Sequence, residues 1–194
     1  NKMVEPHFKM LWSETIPHHS VKDENDKGVN IEIIAGSLNE VIAPTPPPNS
    51  WAANDDNLVS IFNIQLDENQ EFILPKSEVG INRMLYFYEG EGLIVDETEI
   101  PKYHAIEVIP EVDLSLKSGD VSVKILVLQG KPIDEPVVQH GPFVMNTKEE
   151  INQAFSDYQT TQFGGWPWPK SDQTHDREKG RFALHADGTE EVKD

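Results

Sequence analysis

The side chains best suited to hold a metal or move a proton near neutral pH are the seven histidines, His7, His18, His19, His104, His140, His175 and His185. Two histidines two positions apart on a strand point to one face and can share a metal ion. None of the seven has that spacing. His18 and His19 are adjacent, so an extended backbone sends their rings apart. His104 stands near an expected strand start. His140 precedes Gly141-Pro142, where a hydrogen bond within the turn is the simpler use of its ring. Cysteine is absent, which removes thiolate nucleophiles, cysteine–zinc sites and disulfides together. The Gly-x-Ser-x-Gly pattern of a nucleophile elbow is missing, as are phosphate- and dinucleotide-binding glycine loops. Glu89-Gly90-Glu91-Gly92 comes nearest to such a loop, but its carboxylates would repel phosphate, and a hairpin turn is expected there.

Trp166-Pro167-Trp168-Pro169 is the most unusual cluster. It has two readings: an extended segment with aromatic anchors for a partner, or two indoles packed on a helix and on a barrel to fix the chain end. The second is preferred, because a solvent-facing pair of tryptophans would be an unusual apolar patch.

A helix with a defined start lies just before that cluster. Thr147 stands three residues ahead of Glu150, the spacing of a capping box. Ile151, Ala154, Phe155 and Tyr158 then form one apolar stripe. Gly164 and Gly165 follow the periodic run, and Pro167 and Pro169 prevent its return. The Gly141-Pro142-Phe143 turn is expected to redirect the chain from the last strand into this helix. A single helix so short persists only against a tertiary surface.

That surface is expected to be β-rich. Short alternating or apolar runs fall at 29–33, 41–43, 59–66, 72–74, 84–88, 93–95, 105–109, 114–116 and 121–127, separated by glycine and proline. This spacing predicts an all-β sandwich or barrel. Ile61, Leu85, Phe87, Val123, Ile125 and Val127 are the expected interior, a choice that a slip of one residue would reverse. Residues 1–27 show no sustained period and are expected to form an arm, with a polar loop after Ile16-Pro17. A barrel is expected over 28–139, the turn, helix and Trp-Pro segment over 140–169, and a polar, partly disordered tail over 170–194.

The chain of 194 residues has a formal net charge of −18. This sign opposes nonspecific binding to a nucleic-acid backbone or to an anionic membrane. No apolar run approaches a membrane span, and the N-terminus lacks a signal-peptide pattern. The missing cysteines fit a reducing compartment, so a cytoplasmic location is expected, or a nuclear one in a eukaryote. The chain begins with Asn1, which suggests tag removal, a fragment or a missing earlier part.

Several of these segments together resemble a known family. Leu85-Tyr86-Phe87-Tyr88-Glu89-Gly90-Glu91-Gly92 is similar to the strand and turn of a cupin barrel. The run from Leu126-Val127-Leu128-Gln129-Gly130 through Pro136-Val137-Val138 into His140-Gly141-Pro142-Phe143-Val144-Met145-Asn146-Thr147 resembles the C-terminal half of pirin-family proteins. So do the helix ending Asp157-Tyr158-Gln159 and the following Phe163-Gly164, while Lys2-Met3-Val4-Glu5-Pro6-His7-Phe8 resembles the connection between the two halves of a pirin.

The resemblance implies an antiparallel cupin-type barrel (a double-stranded β-helix or jelly roll) that is the second of two stacked barrels. The first barrel of a pirin carries iron on three histidines and a glutamate. Some members cleave flavonols such as quercetin with dioxygen, and others act as redox-linked regulators through protein partners. The matching metal stretch here, Val79-Gly80-Ile81-Asn82-Arg83-Met84, holds no histidine, and Arg83 would repel a cation. The resemblance thus implies no catalytic, cofactor-binding or metal-ligating residue in this chain, with iron in a barrel outside it. Gly141, Pro142, Thr147, Glu150, Ile151, Phe155, Tyr158, Trp166 and Trp168 are then structural. The expected partner is the N-terminal barrel of the same protein, with a regulatory protein as the alternative.

Overall fold

The computed structural model describes residues 3–5, 7–172 and 174–193. Lys2 and Pro6 of the opening segment lie outside the described residues, as do Asn1, Gln173 and Asp194. The chain divides into two compact units, Asn1–Ile133 and Asp134–Asp194. The barrel was expected to run to residue 139, so this division comes earlier.

The strands of the first unit are β1 (His18–Lys22), β2 (Gly28–Ala35), β3 (Ser37–Leu38), β4 (Val41–Ile42), β5 (Ser60–Leu66), β6 (Glu71–Leu74), β7 (Asn82–Glu89), β8 (Leu93–Val95), β9 (Thr98–Ile100), β10 (Ala105–Val108), β11 (Leu114–Lys117) and β12 (Val123–Gly130). One sheet has the order β1-β2-β5-β12-β7-β10 and a second has β6-β11-β8-β9, while β3 and β4 pair alone. Every pairing is antiparallel. The chain crosses between the two large sheets after β5, β6, β7, β9, β10 and β11. The buried residues of both sheets form one core, the arrangement of a jelly-roll barrel.

Two sequence expectations change here. Glu89-Gly90-Glu91-Gly92 is a corner between sheets, because β7 and β8 pair with other strands. Gly90 is needed at that corner: its φ is +97°, and a Cβ would lie 2.2 Å from the Ser122 carbonyl oxygen. Residues 18–22, expected as loop, form β1. The strand is mostly exposed, which explains its missing apolar signal. Its ladder to β2 and the turn that follows hold it. There the Asp23 carboxylate accepts from the backbone N–H groups of Asn25 (2.7 Å) and Lys27 (3.1 Å). Those bonds hold the Asp23 carboxyl below its ordinary pKa, the Asn25 N–H being the larger cause.

Inward residues line up in rows across the strands. Phe87, Ile125, Ile64 and Ile31 form one row, and Leu85, Val127, Phe62 and Ile33 the next. All eight are buried. Ile61 was expected inside, but the buried parity of β5 is Ser60, Phe62, Ile64 and Leu66, so Ile61 faces outward and is half-buried. Leu74, Leu93, Leu114 and Leu116 close the core from the second sheet.

In the second unit, β13 (Val138–His140) and β14 (Phe143–Met145) form a hairpin. Gly141 sits at its tip with φ +56°, so the expected redirecting turn is a hairpin turn. Helix α1 (Lys148–Thr161) follows. The capping box is present: Thr147 Oγ1 accepts from the Glu150 N–H at 3.2 Å, and a Glu150 carboxylate oxygen accepts from the Thr147 N–H at 2.9 Å. Met145, Ile151 and Ala154 form a small core with Val138, Phe143 and Phe155 against it. Tyr158 is 43% exposed, its ring set edge-on to Phe143 and Phe163. The helix ends at Gln162, which takes the left-handed cap conformation with φ 53°.

The Trp166 and Trp168 rings meet each other, with centroids 4.7 Å apart. Trp166 Nε1 donates to the Lys170 carbonyl (2.7 Å), and Trp168 Nε1 to that of Leu184 (3.1 Å). Packing on the helix and barrel was expected; the partners seen are each other and the chain that follows. That chain, expected as a partly disordered tail, carries the hairpin of β15 (Arg181–Leu184) and β16 (Glu190–Lys193).

Truncation of Phe87 to alanine should cost about 3–5 kcal/mol in urea unfolding, because the ring is fully buried. Ile61→Ala should cost less than half as much. Thr147→Ala should weaken the helix start by about 1 kcal/mol, read as faster amide hydrogen exchange in the first turn of α1.

Candidate functional site

The two apolar rows are followed by a polar one. Gln129 on β12 is paired with Ser60 on β5 and with Arg83 on β7, at positions whose side chains face inward. Local sequence explains the change. The alternation that places Phe87 and Leu85 inside places Arg83 inside too, two residues further back on β7. Arg83 is only 3% exposed. Its Nε donates to Gln129 Oε1 at 2.7 Å. Gln129 in turn donates through Nε2 to the Leu58 carbonyl and the Ser77 hydroxyl, both at 3.3 Å. Arg83 Nη1 is buried and no protein acceptor reaches it. No carboxylate forms an ion pair with Arg83 among the described residues. Burial pushes its pKa below the ordinary guanidinium value, yet the group stays a cation.

Arg83 lines an open hollow of about 350 Å³. Ile81, Ile109 and Pro110 supply apolar walls, and Glu107 and Glu111 stand beside them. A second hollow, of about 430 Å³, lies on the outer face of the large sheet between Ile34, Tyr86, Tyr88 and Leu126. There Tyr88 Oη donates to Asn63 Oδ1 (2.6 Å), and Asn63 Nδ2 donates to Glu32 (2.7 Å).

The histidines are dispersed. His18 Nδ1 lies 3.1 Å from Asn30 Oδ1, and His104 Nδ1 lies 3.1 Å from the Lys102 carbonyl. His140 meets the Phe155 ring edge, His175 meets Phe182, and His185 Nε2 lies 2.6 Å from Glu191. Among the described residues, no three or more histidine, aspartate or glutamate side chains are grouped to hold a metal ion. The donor set therefore does not fit the three-histidine, one-glutamate iron site that the family resemblance attaches to a pirin barrel. The inward position at the start of β7 carries the Arg83 guanidinium. The sequence showed that cation in the expected metal stretch. It did not show that the guanidinium is buried with a free donor, because that depends on which residues of β5, β10 and β12 lie beside it.

Comparisons with known proteins agree with this architecture. The family model described as the Pirin C-terminal cupin domain matches residues 61–164, more than half of the chain. A pirin-like protein of Solanum lycopersicum is 35% identical, with 84% of this chain and 53% of that protein covered. A putative quercetin 2,3-dioxygenase of Pseudomonas aeruginosa is 33% identical, with 81% and 53% covered. The crystal structure of a quercetin 2,3-dioxygenase from Acinetobacter baumannii superposes with a TM-score of 0.68 at 27% identity, over 84% of this chain and 52% of that one. The chain spans about half the length of the curated relatives it matches. Its rolled antiparallel sheets, capped helix and matched segment make it a member of the pirin family, corresponding to the C-terminal cupin half.

Proposed function

We propose that this chain is the metal-free, non-catalytic cupin domain of a longer pirin-like protein, and that it packs on a metal-bearing N-terminal barrel of the same polypeptide. In this reading the intact protein performs iron-dependent chemistry of the quercetin 2,3-dioxygenase type, with every metal ligand outside residues 1–194. The observation that carries the reading is Arg83, a buried cation facing inward where a cation ligand would have to stand. A positive charge held in a low-dielectric interior opposes a second one nearby. The relatives extend well beyond the matched region, which is about half of their length, and some are named for quercetin oxygenation; this supports the presence of a second barrel. Iron would supply open coordination positions for substrate oxygen and dioxygen. No step of that chemistry falls to a residue of this chain.

The outer hollow supports the packing role. Tyr86 and Tyr88 are each more than a third exposed beside Leu126 and Ile34, an apolar face suited to contact with another folded surface. The same face favours the second reading, a redox-linked regulator that acts by binding another protein. No helix among the described residues is long and apolar enough to cross a membrane. A reducing compartment, cytoplasmic or nuclear, suits both readings.

Metal analysis separates this assignment from a catalytic one. The 194-residue chain should retain no stoichiometric iron after purification and ferrous loading. A version that includes the preceding residues should hold about one iron per chain and consume oxygen when quercetin is added. Stoichiometric iron in the short chain would overturn the proposal. Iron without oxygen uptake, together with a protein partner whose capture depends on the iron oxidation state, would favour the regulatory reading.

A further inference from the structure

The free donor of Arg83 points to a ligand of its own. A buried guanidinium whose charge no carboxylate balances is costly, and removing water from it without giving it an acceptor costs more. Arg83 cannot escape that cost by losing its proton. Its Nε is satisfied by Gln129, which fixes the plane of the group, while Nη1 remains without an acceptor. Gln129, the polar side chain paired with Arg83, is already engaged. Gln129 is held by Leu58 and Ser77, and the buried Asn57 donates to the Trp51 carbonyl at 2.8 Å.

The hollow that Arg83 lines sets the size and character of what could complete it. About 350 Å³ is at the small end of ligand pockets. Its apolar walls, Ile81, Ile109 and Pro110, suit a short hydrocarbon tail. Glu107 and Glu111 make a second negative charge on the ligand unfavourable. Guanidinium and carboxylate match in geometry as well as charge. We propose that this end of the barrel is a binding site for a small monocarboxylate with a short branched or unbranched apolar tail, its carboxylate accepting from Arg83 Nη1. The hollow is open but Nη1 is closed off from it, so binding requires the Arg83 side chain or the wall of Ile81 and Pro110 to shift and bring Nη1 to the open space. The site uses only residues of this chain and does not depend on the assignment of iron to another barrel.

The test uses the 194-residue chain and, in parallel, a longer version with the preceding residues. The probes are 4-methylpentanoate, its neutral isostere 4-methylpentanamide, and the dianion glutarate. At about 10 mM the monocarboxylate should raise Tm by about 3 °C in both proteins, while the amide and the dianion should do much less. Titration calorimetry should give one site per chain. Arg83→Met should fold with an unchanged or higher Tm, because a buried unpaired charge is removed, and should lose the response. Arg83→Lys keeps the charge without the planar fork and should bind roughly tenfold more weakly. Glu111→Gln should bind at least as tightly as the native chain. An equal response to the amide, a response that survives in Arg83→Met, or no response from either protein would overturn the proposal. So would a response confined to the short chain, which would mean that the preceding residues supply the acceptor.

Discussion

The structure depends on the register of β12 between β5 and β7. Each pairing sets Ile125 and Val127 beside the buried partners Ile64 and Phe62 on one flank and Phe87 and Leu85 on the other. A shift by one residue would turn all of these outward and bring Lys124 and Leu126 inside. Burial of several large side chains in two rows makes that shift prohibitive, since each contributes on the order of 2 kcal/mol when removed from water. The same register obliges Arg83, Gln129 and Ser60 to share the next row. The charge inside the barrel is thus carried by the pairing that builds the core.

Two of the corners that join the sheets are tied to each other by polar groups. The buried Ser118 hydroxyl donates to the Asp67 carbonyl and accepts from the Gln70 N–H at 2.9 Å, joining the corner after β5 to the corner after β11. Gly119 accepts from the Asn69 N–H at 2.8 Å in the same place. These bonds satisfy backbone groups that leave one ladder before entering another, as buried corners require. In the second unit the capping box does the corresponding work, because it fixes where α1 begins relative to the hairpin that covers its apolar stripe.

Much of this was legible in the chain itself, and the reasons for the exceptions are physical. Alternation in β5, β7 and β12 announced strands, and Thr147 with Glu150 announced the helix start. Ile61 was misplaced against the alternation of Phe62, Ile64 and Leu66 with Asn63 and Gln65, which puts Ile61 on the polar side of the strand. The Glu89–Gly92 segment showed a turn but not its destination, since crossing between sheets is settled by distant partners such as Leu116 on β11. β1 was missed because an edge strand with little buried area needs ladder bonds more than apolar side chains. At the site, the absence of paired histidines was plain from sequence. The unpaired Nη1 of Arg83 was not, because it depends on what three other strands fail to offer.

The account rests on the claim that the interior of this barrel is organised around a fixed side-chain cation and leaves metal binding to residues elsewhere. Anomalous diffraction at the iron edge, from crystals of an iron-loaded version with the preceding residues, tests this most directly. The account predicts one strong peak, ligated wholly by residues that precede this chain, and none in the barrel that contains Arg83. A peak bound by side chains from β5, β7 or β12 would contradict it.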